Sequence, residues 1–253
     1  MAINNSLHAI VTGGASGLGF ATAQSIINNN GKVAILNTDQ TRGENALNKL
    51  GRNAIFIETD VSDPIQVEAA VEKTVDAFGY INLAVNCAGI APSQRVLGKD
   101  KLISAQDFNK AIEVNLLGTF NVIRAAVNVM QHNQPGQDSE RGVIINTASI
   151  AAFDGQIGQA AYSASKGGIV SMTLPLAREF ARIGVRVVTI APGLFKTPLF
   201  DNLPEKAIDA LKEQIPFPKR IGNPEEFARL VLHIVENKMI NGETIRFDGA
   251  LRM

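Results

Sequence analysis

Tyr162 and Lys166 are four residues apart in a small-residue segment that is predicted to be helical, so their side chains share one helix face. A tyrosine hydroxyl ordinarily titrates near ~10, and an ammonium group one helical turn away lowers that pKa. Ser149 follows the apolar, β-prone run 143–147 and is placed at a strand end, where its hydroxyl reaches the same point. These three residue types predict general acid–base chemistry on a substrate oxygen.

The Tyr-x-x-x-Lys spacing alone is weak, because it is common on exposed helices where neither side chain does chemistry. A glycine-rich loop strengthens the interpretation: residues 12–19, Thr-Gly-Gly-Ala-Ser-Gly-Leu-Gly, join a short apolar strand to a helical pattern. Gly13, Gly17 and Gly19 let backbone N–H groups approach a pyrophosphate at a helix N-terminus. Their spacing differs from the usual Gly-x-Gly-x-x-Gly fingerprint, but the strand before and the helix after are the context that a dinucleotide site requires.

The residue that follows the second predicted strand bears on which dinucleotide binds. In such sites an acidic residue at this point accepts both hydroxyls of the adenosine ribose and repels a 2′-phosphate. Here the position is Asn37, which hydrogen-bonds a hydroxyl but lacks that charge. The glycine loop and the neighbours of Asn37 carry no Arg or Lys, and Arg42 is the nearest cation. The sequence therefore favours NAD, while NADP stays open.

Strand and helix signals alternate along the chain, which predicts an α/β fold with a parallel sheet covered on both faces by helices. Right-handed crossovers then make the sheet doubly wound. The predicted strands are 7–11, 33–36, 54–57, 81–85, 143–147, 185–190 and 243–247, and the predicted helices end near 30, 50, 78, 131, 182 and 214, with a last one opening at 223–224. Gly31 is expected to end the first helix, and Asp63-Pro64 to open the third. Without repeats or linkers, residues 1–253 are expected to form a single domain.

Composition excludes several classes of function. Lys+Arg and Asp+Glu both number 24, so nothing indicates a nucleic-acid or anionic-membrane surface. The three histidines are far apart and Cys87 is the only cysteine, so we expect no metal site and no internal disulfide. No apolar run reaches the ~18 residues of a membrane span, and no secretory signal is recognised. A cytoplasmic location is expected, or the mitochondrial matrix in a eukaryote.

Three further segments have more than one interpretation. Asn115 lies among apolar residues of a predicted helix, so its amide needs a partner: either a structural hydrogen bond, or a water that relays protons to Lys166. Residues 90–105 are either a solvated loop or a rim for an anionic substrate group, and their cations are Arg95, Lys99 and Lys101. Residues 195–218, with a helical piece at 204–214, are either a substrate lid or an ordinary surface excursion.

Taken together, the motifs resemble the short-chain dehydrogenase/reductase family along essentially the whole length. They are Thr12–Gly19, Asn86-Cys87-Ala88-Gly89, Asn115, Ser149, Tyr162-x-x-x-Lys166 and Pro192-Gly193. The resemblance implies a Rossmann fold with a seven-stranded parallel sheet, and usually a homotetramer. It implies that Tyr162 is the acid/base, Ser149 orients the substrate oxygen and Asn115 completes a proton relay. Lys166 would lower the pKa of Tyr162 and hold the nicotinamide ribose.

The resemblance also assigns the binding residues. The substrate would contact Ser149, Gln159 and Tyr162. The cofactor would contact Gly13, Ser16, Gly17, Leu18, Gly19, Asn37, Asp60, Val61, Cys87, Ala88, Gly89, Tyr162, Lys166, Phe195 and Thr197. Among these, Ser16 and Leu18 would line the pyrophosphate loop, and Asp60 and Val61 would meet the adenine. Close relatives have aspartate where this chain has Asn37.

The function that this resemblance implies is reversible hydride transfer between a nicotinamide and a secondary alcohol or ketone. Several stretches, such as 85–91, 158–170 and 248–253, are similar to members of the family that act on 3-hydroxyacyl-CoA, which is therefore the favoured substrate. Three alternatives remain: an NADPH-dependent 3-oxoacyl-carrier-protein reductase, a steroid or other secondary alcohol dehydrogenase, and a non-catalytic nucleotide-sensing subunit.

Overall fold

The computed structural model describes residues 1–98, 102–198, 209 and 211–253. Its centre is a seven-stranded sheet in the order β3-β2-β1-β4-β5-β6-β7, and every strand pair is parallel. The strands are β1 His8–Thr12, β2 Lys32–Asn37, β3 Ala54–Glu58, β4 Leu83–Asn86, β5 Gly142–Thr147, β6 Val185–Pro192 and β7 Thr244–Phe247. The predicted doubly wound α/β fold is confirmed.

Seven helices flank the sheet in the described part of the chain. They are α1 Gly17–Asn28, α2 Gln40–Leu50, α3 Pro64–Phe78, α4 Ala105–Ala111, α5 Gly118–Met130, α6 Ala160–Phe180 and α7 Pro224–Glu236. Side chains of α1, α2 and α7 pack on one face of the sheet, and those of α3, α5 and α6 pack on the other. Because neighbouring strand residues point to opposite faces, Ile10 and Val11 enter different core clusters.

Burial on both faces explains why the central strands are nearly continuous apolar runs. All six residues of β5 and all eight of β6 are buried, as expected when helices cover both sides of a parallel sheet. β-branched residues such as Val143, Ile144 and Ile145 fit this pleated, crowded environment well. The central strands therefore hold their carboxyl ends in fixed positions along one edge of the sheet.

Local signals set most helix starts. Asp63 caps α3 by accepting hydrogen bonds from the N–H groups of Ile65 and Gln66, and Pro64 occupies the first turn, as predicted. The predicted end of α1 is wrong in detail: Asn30, not Gly31, takes the left-handed conformation, with φ 65°. Gly31 is needed for space instead, because a Cβ there would lie 2.6 Å from Cγ2 of Ile26.

The predicted helix that contains Asn115 and ends near 131 is interrupted. Between α4 and α5, residues Ile112–Leu117 form one wider π-helical turn, and Asn115 lies within it. Such single-turn widenings expose backbone groups that ordinary helical bonding would occupy. Here the carbonyl of Asn115 accepts a hydrogen bond from the Thr119 hydroxyl at 2.7 Å. The apolar periodicity does not register this change of helical pitch.

The order of the strands places a cleft at the carboxyl edge of the sheet. The order in which the chain adds strands reverses between β1 and β4, because β2 and β3 lie on one side of this point and β5, β6 and β7 lie on the other. Open α/β sheets bind ligands in the crevice outside the carboxyl ends of the strands at such a point. Within the predicted helix 204–214, residues 204–208 and 210 lie outside the described residues, and 211–213 are helical. The described elements thus bring the ends of β1, β4, β5 and β6 to one cleft.

Candidate active site

One cleft of about 1000 Å³ runs along the carboxyl edge and contains nearly all of the predicted site. The predicted residues that line it are Gly13, Ser16, Gly17, Leu18, Gly19, Asn37, Asp60, Val61, Cys87, Ala88, Gly89, Ser149, Gln159, Tyr162, Lys166, Phe195 and Thr197. The exception is Asn115, which is fully buried behind the wall. Residues at or just beyond the carboxyl ends of six strands, β1 to β6, therefore share one space.

The glycine loop is shaped by close backbone contacts. Gly13 has φ 61°, and a Cβ on it would lie 3.0 Å from the backbone of Cys87 and Ala88. The Thr12 hydroxyl holds those same two residues by accepting both of their N–H groups at 3.1 Å. Ser16 then begins α1 without a side-chain cap, so the first N–H groups of the helix face the cleft. This arrangement fits a pyrophosphate.

The end of the cleft where the sequence predicts the adenosine carries mixed charge. Asn37 ends β2, and beside it Asp39 pairs with Arg42 at 3.2 Å and caps α2. Asp60 lies across from them, and hydrogen bonds from Ser62 lower its carboxyl pKa. Thr59, which the sequence interpretation missed, also lines this end. The position that usually carries a carboxylate is thus an uncharged amide with an ion pair next to it.

Lys166 is held at the centre of the cleft by the end of β5. Its Nζ donates to the Thr147 carbonyl oxygen at 2.8 Å and lies 5.8 Å from the centre of the Tyr162 ring. Burial lowers the pKa of Lys166 to about 8. The pair faces one side of α6, as the four-residue spacing predicts.

The pKa of Tyr162 differs from the expectation. Burial raises it above the ordinary value, while a hydrogen bond with Ser149 acts in the opposite direction. In this arrangement Lys166 bonds to Thr147 and the loss of solvent dominates at the phenol, so the lowering of the Tyr162 pKa by Lys166 stays a prediction. Ser149 lies two residues beyond β5, where its Oγ accepts from the Ala151 N–H at 3.1 Å and leaves its own proton free to donate.

Asn115 joins two neighbouring segments beside the cleft through hydrogen bonds. Its Oδ1 accepts from the Ile90 N–H at 2.8 Å, and its Nδ2 donates to the Ile90 carbonyl and to the Ser165 hydroxyl, both at 2.9 Å. Between the two predicted alternatives, this geometry supports a structural hydrogen bond. A Cβ on Gly89 would approach Asn115 Oδ1 at 3.0 Å and Lys166 Nζ at 3.5 Å, so the three residues are neighbours. The proton-relay role stays a prediction.

Cys87 lines the cleft as a protonated thiol. Burial raises its pKa to about 11, and its Sγ lies 3.5 Å from the Thr147 hydroxyl. A thiol with such a pKa is a poor nucleophile at neutral pH, because the thiolate is the reactive form. Cys87 therefore contributes shape to the cleft and not covalent chemistry.

The sequence interpretation missed several apolar residues at the part of the cleft next to Ser149, which is called the substrate half below. Ile150, Leu194 and Met253 line it, and nothing in their local pattern predicts that three distant segments meet there. The predicted basic rim is only partly described: Arg95 is exposed and does not line the cleft, while Lys99 and Lys101 lie outside the described residues. The nearby exposed side chains Val96, Leu97, Leu102 and Ile157 are apolar.

A doubly wound sheet whose carboxyl edge joins a glycine loop to Ser149, Tyr162 and Lys166 defines the class of nicotinamide-dependent oxidoreductases. The family model described as short chain dehydrogenase matches residues 7–208. The chain belongs to this family and is an oxidoreductase, and the family implies a nicotinamide cofactor.

Three relatives are similar to this chain over nearly its full length. The rat 3-hydroxyacyl-CoA dehydrogenase type-2 is 53% identical over 249 residues, which are 98% of this chain and 95% of the rat protein. The human protein of that name is 52% identical, with the same coverage of both chains. A crystal structure of 3-hydroxyacyl-CoA dehydrogenase type-2 from Mycobacterium avium matches with TM-score 0.93 and 38% identity, covering 98% of this chain and 96% of that one.

Two features are absent from the described residues. Within residues 1–98, 102–198, 209 and 211–253, no helix combines the length and the apolar character needed to cross a membrane. In the same part of the chain, no group of three His, Cys, Asp or Glu side chains is arranged to hold a metal ion.

Proposed function

We propose that this protein interconverts 3-hydroxyacyl-CoA and 3-oxoacyl-CoA, with NAD⁺ reduced as the alcohol is oxidised. The observation that carries the proposal is the convergence of Ser149, Tyr162 and Lys166 on the cleft that also contains the glycine loop. The acyl-CoA substrate is supported by the names of relatives that are about half identical over nearly the whole chain. An acyl-CoA fits the apolar lining that Ile150, Leu194 and Met253 give to the substrate half.

The catalytic side chains divide the proton chemistry. The glycine loop and Lys166 would hold a nicotinamide dinucleotide, which would supply the hydride-transfer chemistry at the carbon that carries the substrate oxygen. Tyr162 accepts the hydroxyl proton in the oxidation and donates it in the reduction. Ser149 donates a hydrogen bond to the same substrate oxygen and thereby fixes its position relative to Tyr162. Lys166 supplies positive charge beside the phenol, which favours the phenolate as charge develops. Asn115 holds the loop at Ile90 that borders Lys166.

NAD is the proposed cofactor. Asn37 accepts or donates a hydrogen bond to a ribose hydroxyl. Arg42, the nearest cation, is already paired with Asp39, whose negative charge opposes a 2′-phosphate. Both effects favour an unphosphorylated ribose, although Asn37 itself does not repel a phosphate.

The proposed assembly is a homotetramer. The outer faces of neighbouring helices leave large apolar side chains exposed, namely Leu117 at the end of the π-helical turn, Phe120 in α5 and Leu174 in α6. Burying such side chains between copies stabilises an oligomer. The proposed location is the cytoplasm, or the mitochondrial matrix of a eukaryote, since one free thiol, Cys87, suits a reducing compartment.

The first experiment follows NADH absorbance during reduction of acetoacetyl-CoA, and repeats the assay with NADPH. We expect oxidation of NADH at least about tenfold faster than of NADPH, corresponding to ~1.4 kcal/mol of discrimination. Faster oxidation of NADPH would overturn the cofactor assignment and favour a reductase of carrier-protein substrates. Turnover only of steroids or simple alcohols would overturn the acyl-CoA assignment. Binding of NADH without turnover of any ketone would favour a nucleotide-sensing subunit.

A further inference from the structure

Arg246 on β7 joins three segments that are distant in sequence. Its Nη2 donates to Asp154 Oδ2 and also to the Leu251 carbonyl oxygen, the latter at 3.0 Å. Its Nε donates to Asp248 Oδ2 at 2.8 Å, and its guanidinium carbon lies 5.2 Å from the centre of the Phe153 ring. One partly buried side chain therefore holds both the turn that follows Ser149 and the C-terminal segment 248–253.

The same two segments meet again in an apolar cluster next to the cleft. Ile150, Ile215 and Leu251 are buried together, and Leu194 and Met253 pack against them. Ile150 directly follows Ser149, and Met253 lines the cleft. The Gly249 carbonyl accepts the Phe217 N–H at 3.4 Å, which joins the end of the predicted lid to this cluster. The polar contacts of Arg246 thus lie behind an apolar wall of the substrate half.

We propose that Arg246 is a positioning residue that fixes this wall, and that Met253 in the wall sets the acyl-chain length that the cleft accepts. The proposal rests on the proposed function, because the ligand is taken to be an acyl-CoA. It goes beyond the proposed function because it assigns the selection of acyl-chain length to the C-terminal segment 248–253. The hydrogen bonds that Arg246 makes to hold this segment do not involve Ser149, Tyr162 or Lys166. Bidentate and planar contacts of this kind suit arginine and not lysine.

The geometry gives two separable effects. Without the Arg246 guanidinium, Asp154 and the Leu251 carbonyl lose their shared partner, and the wall shifts relative to Ser149. A displacement of about 1 Å near reacting groups can cost on the order of 10²-fold in rate. Shortening Met253 leaves those bonds in place and enlarges the cleft. The first change weakens acyl-CoA binding generally, and the second favours longer chains.

The test compares Arg246→Met and Arg246→Lys with Arg252→Met, which removes an exposed arginine whose hydrogen bonds in the described part of the chain go to Asp248 and the Leu251 carbonyl. KM and kcat are measured with acetoacetyl-CoA and with 3-oxodecanoyl-CoA, and the Kd for NADH by fluorescence. We expect Arg246→Met to raise the acyl-CoA KM about tenfold and to change the NADH Kd less than about twofold. Arg246→Lys should recover only part of the loss, and Arg252→Met should match the wild type.

In the same assay, Met253→Ala should raise kcat/KM for 3-oxodecanoyl-CoA relative to acetoacetyl-CoA about tenfold. An unchanged ratio of the two kcat/KM values in Met253→Ala would overturn the proposal. Equal weakening of NADH and acyl-CoA binding in Arg246→Met would also overturn it. If the wild type turns over no acyl-CoA, the proposed function fails, and hydrogen exchange decides about Arg246 independently. Arg246→Met should then speed exchange in both 150–154 and 248–253, and Arg252→Met in neither; unchanged exchange in Arg246→Met would overturn its positioning role.

Discussion

At the scale of single residues, burial and hydrogen bonding in the folded protein affect the pKa of a side chain as much as its neighbours in sequence do. Tyr162 and Lys166 share a helix face, yet Lys166 Nζ bonds to the Thr147 carbonyl, and burial raises the pKa of Tyr162. Proton transfer at neutral pH therefore requires that interactions made with bound ligands offset this burial. The phenol is the group on which the proposed reaction depends.

Replacement of Tyr162 by phenylalanine tests that role. Tyr162→Phe should lower kcat about 10²–10⁴-fold, because a positioned acid–base group contributes on this order. NADH binding should change less than about twofold, since the ring and Lys166 remain. Stopped-flow turnover and fluorescence titration give the two quantities.

The chain offers a matched control in its other tyrosine. Tyr80 lies near the amino edge of the sheet, where its hydroxyl donates to the Ser6 carbonyl at 2.9 Å. Tyr80→Phe should retain the wild-type kcat. Substantial turnover by Tyr162→Phe, or an equal loss in both variants, would contradict the assignment.

At the scale of elements, the wide turn between α4 and α5 joins the helix layer to the loop after β4. Asn115 is its centre, and its amide satisfies both backbone groups of Ile90 together with the Ser165 hydroxyl. The amide is fully buried, so no solvent replaces these bonds when it is removed. The turn thus positions the Gly89–Ile90 segment beside Lys166.

Asn115→Leu should lower the free energy of unfolding by about 2–5 kcal/mol, because it leaves several buried polar groups without partners. Urea unfolding followed by circular dichroism measures the loss. Asn128→Leu makes the same substitution at an exposed position of α5 and should stay within about 0.5 kcal/mol of the wild type. A loss no larger in Asn115→Leu than in this control would show that the hydrogen bonds of Asn115 do not stabilise the fold.

At the scale of the whole molecule, the carboxyl and amino ends of the strands carry different features. The carboxyl edge carries the cleft, whereas the amino edge carries a buried ion pair in which Arg186 Nε donates to Glu140 Oε1 at 2.8 Å. The same guanidinium donates to the carbonyls of Ile234 and Val235 at the end of α7 and of Ile240 in the segment that follows. Arg186 therefore joins β6 and α7 to the start of β5, far from the reacting groups.

Arg186→Met should cost about 2–4 kcal/mol of stability, because the buried Glu140 carboxylate loses one of its two cationic partners and keeps only the Met1 ammonium at 2.8 Å among the described residues, while three carbonyls lose their donor. KM and kcat of the protein that stays folded should be unchanged. Thermal unfolding and steady-state kinetics separate the two effects, with the exposed Arg182→Met as a control that changes neither. A kinetic change in Arg186→Met at a temperature where it is fully folded would contradict this separation of the two edges.

Features that depend on short stretches of chain were accessible from the sequence. The glycine loop, the Asp63-Pro64 helix start and the buried runs of the central strands follow from backbone sterics and from periodicity, which act over a few residues. The strand–helix alternation then leaves few arrangements other than the doubly wound sheet. The positions of Ser149, Tyr162 and Lys166 at one cleft follow from that arrangement.

Other features required the tertiary structure, because they arise where distant segments pack. The wide turn at Asn115 depends on hydrogen bonds to Ile90 and Ser165, which are 25 and 50 residues away. The raised pKa of Tyr162 depends on how much solvent the assembled cleft excludes. Met253 becomes a wall of the substrate half only because Arg246 and Leu251 hold the C-terminal segment against Ile150. The sequence by itself determined the fold and the residues proposed to react; packing decided the direction of their pKa shifts and the shape of the cleft around them.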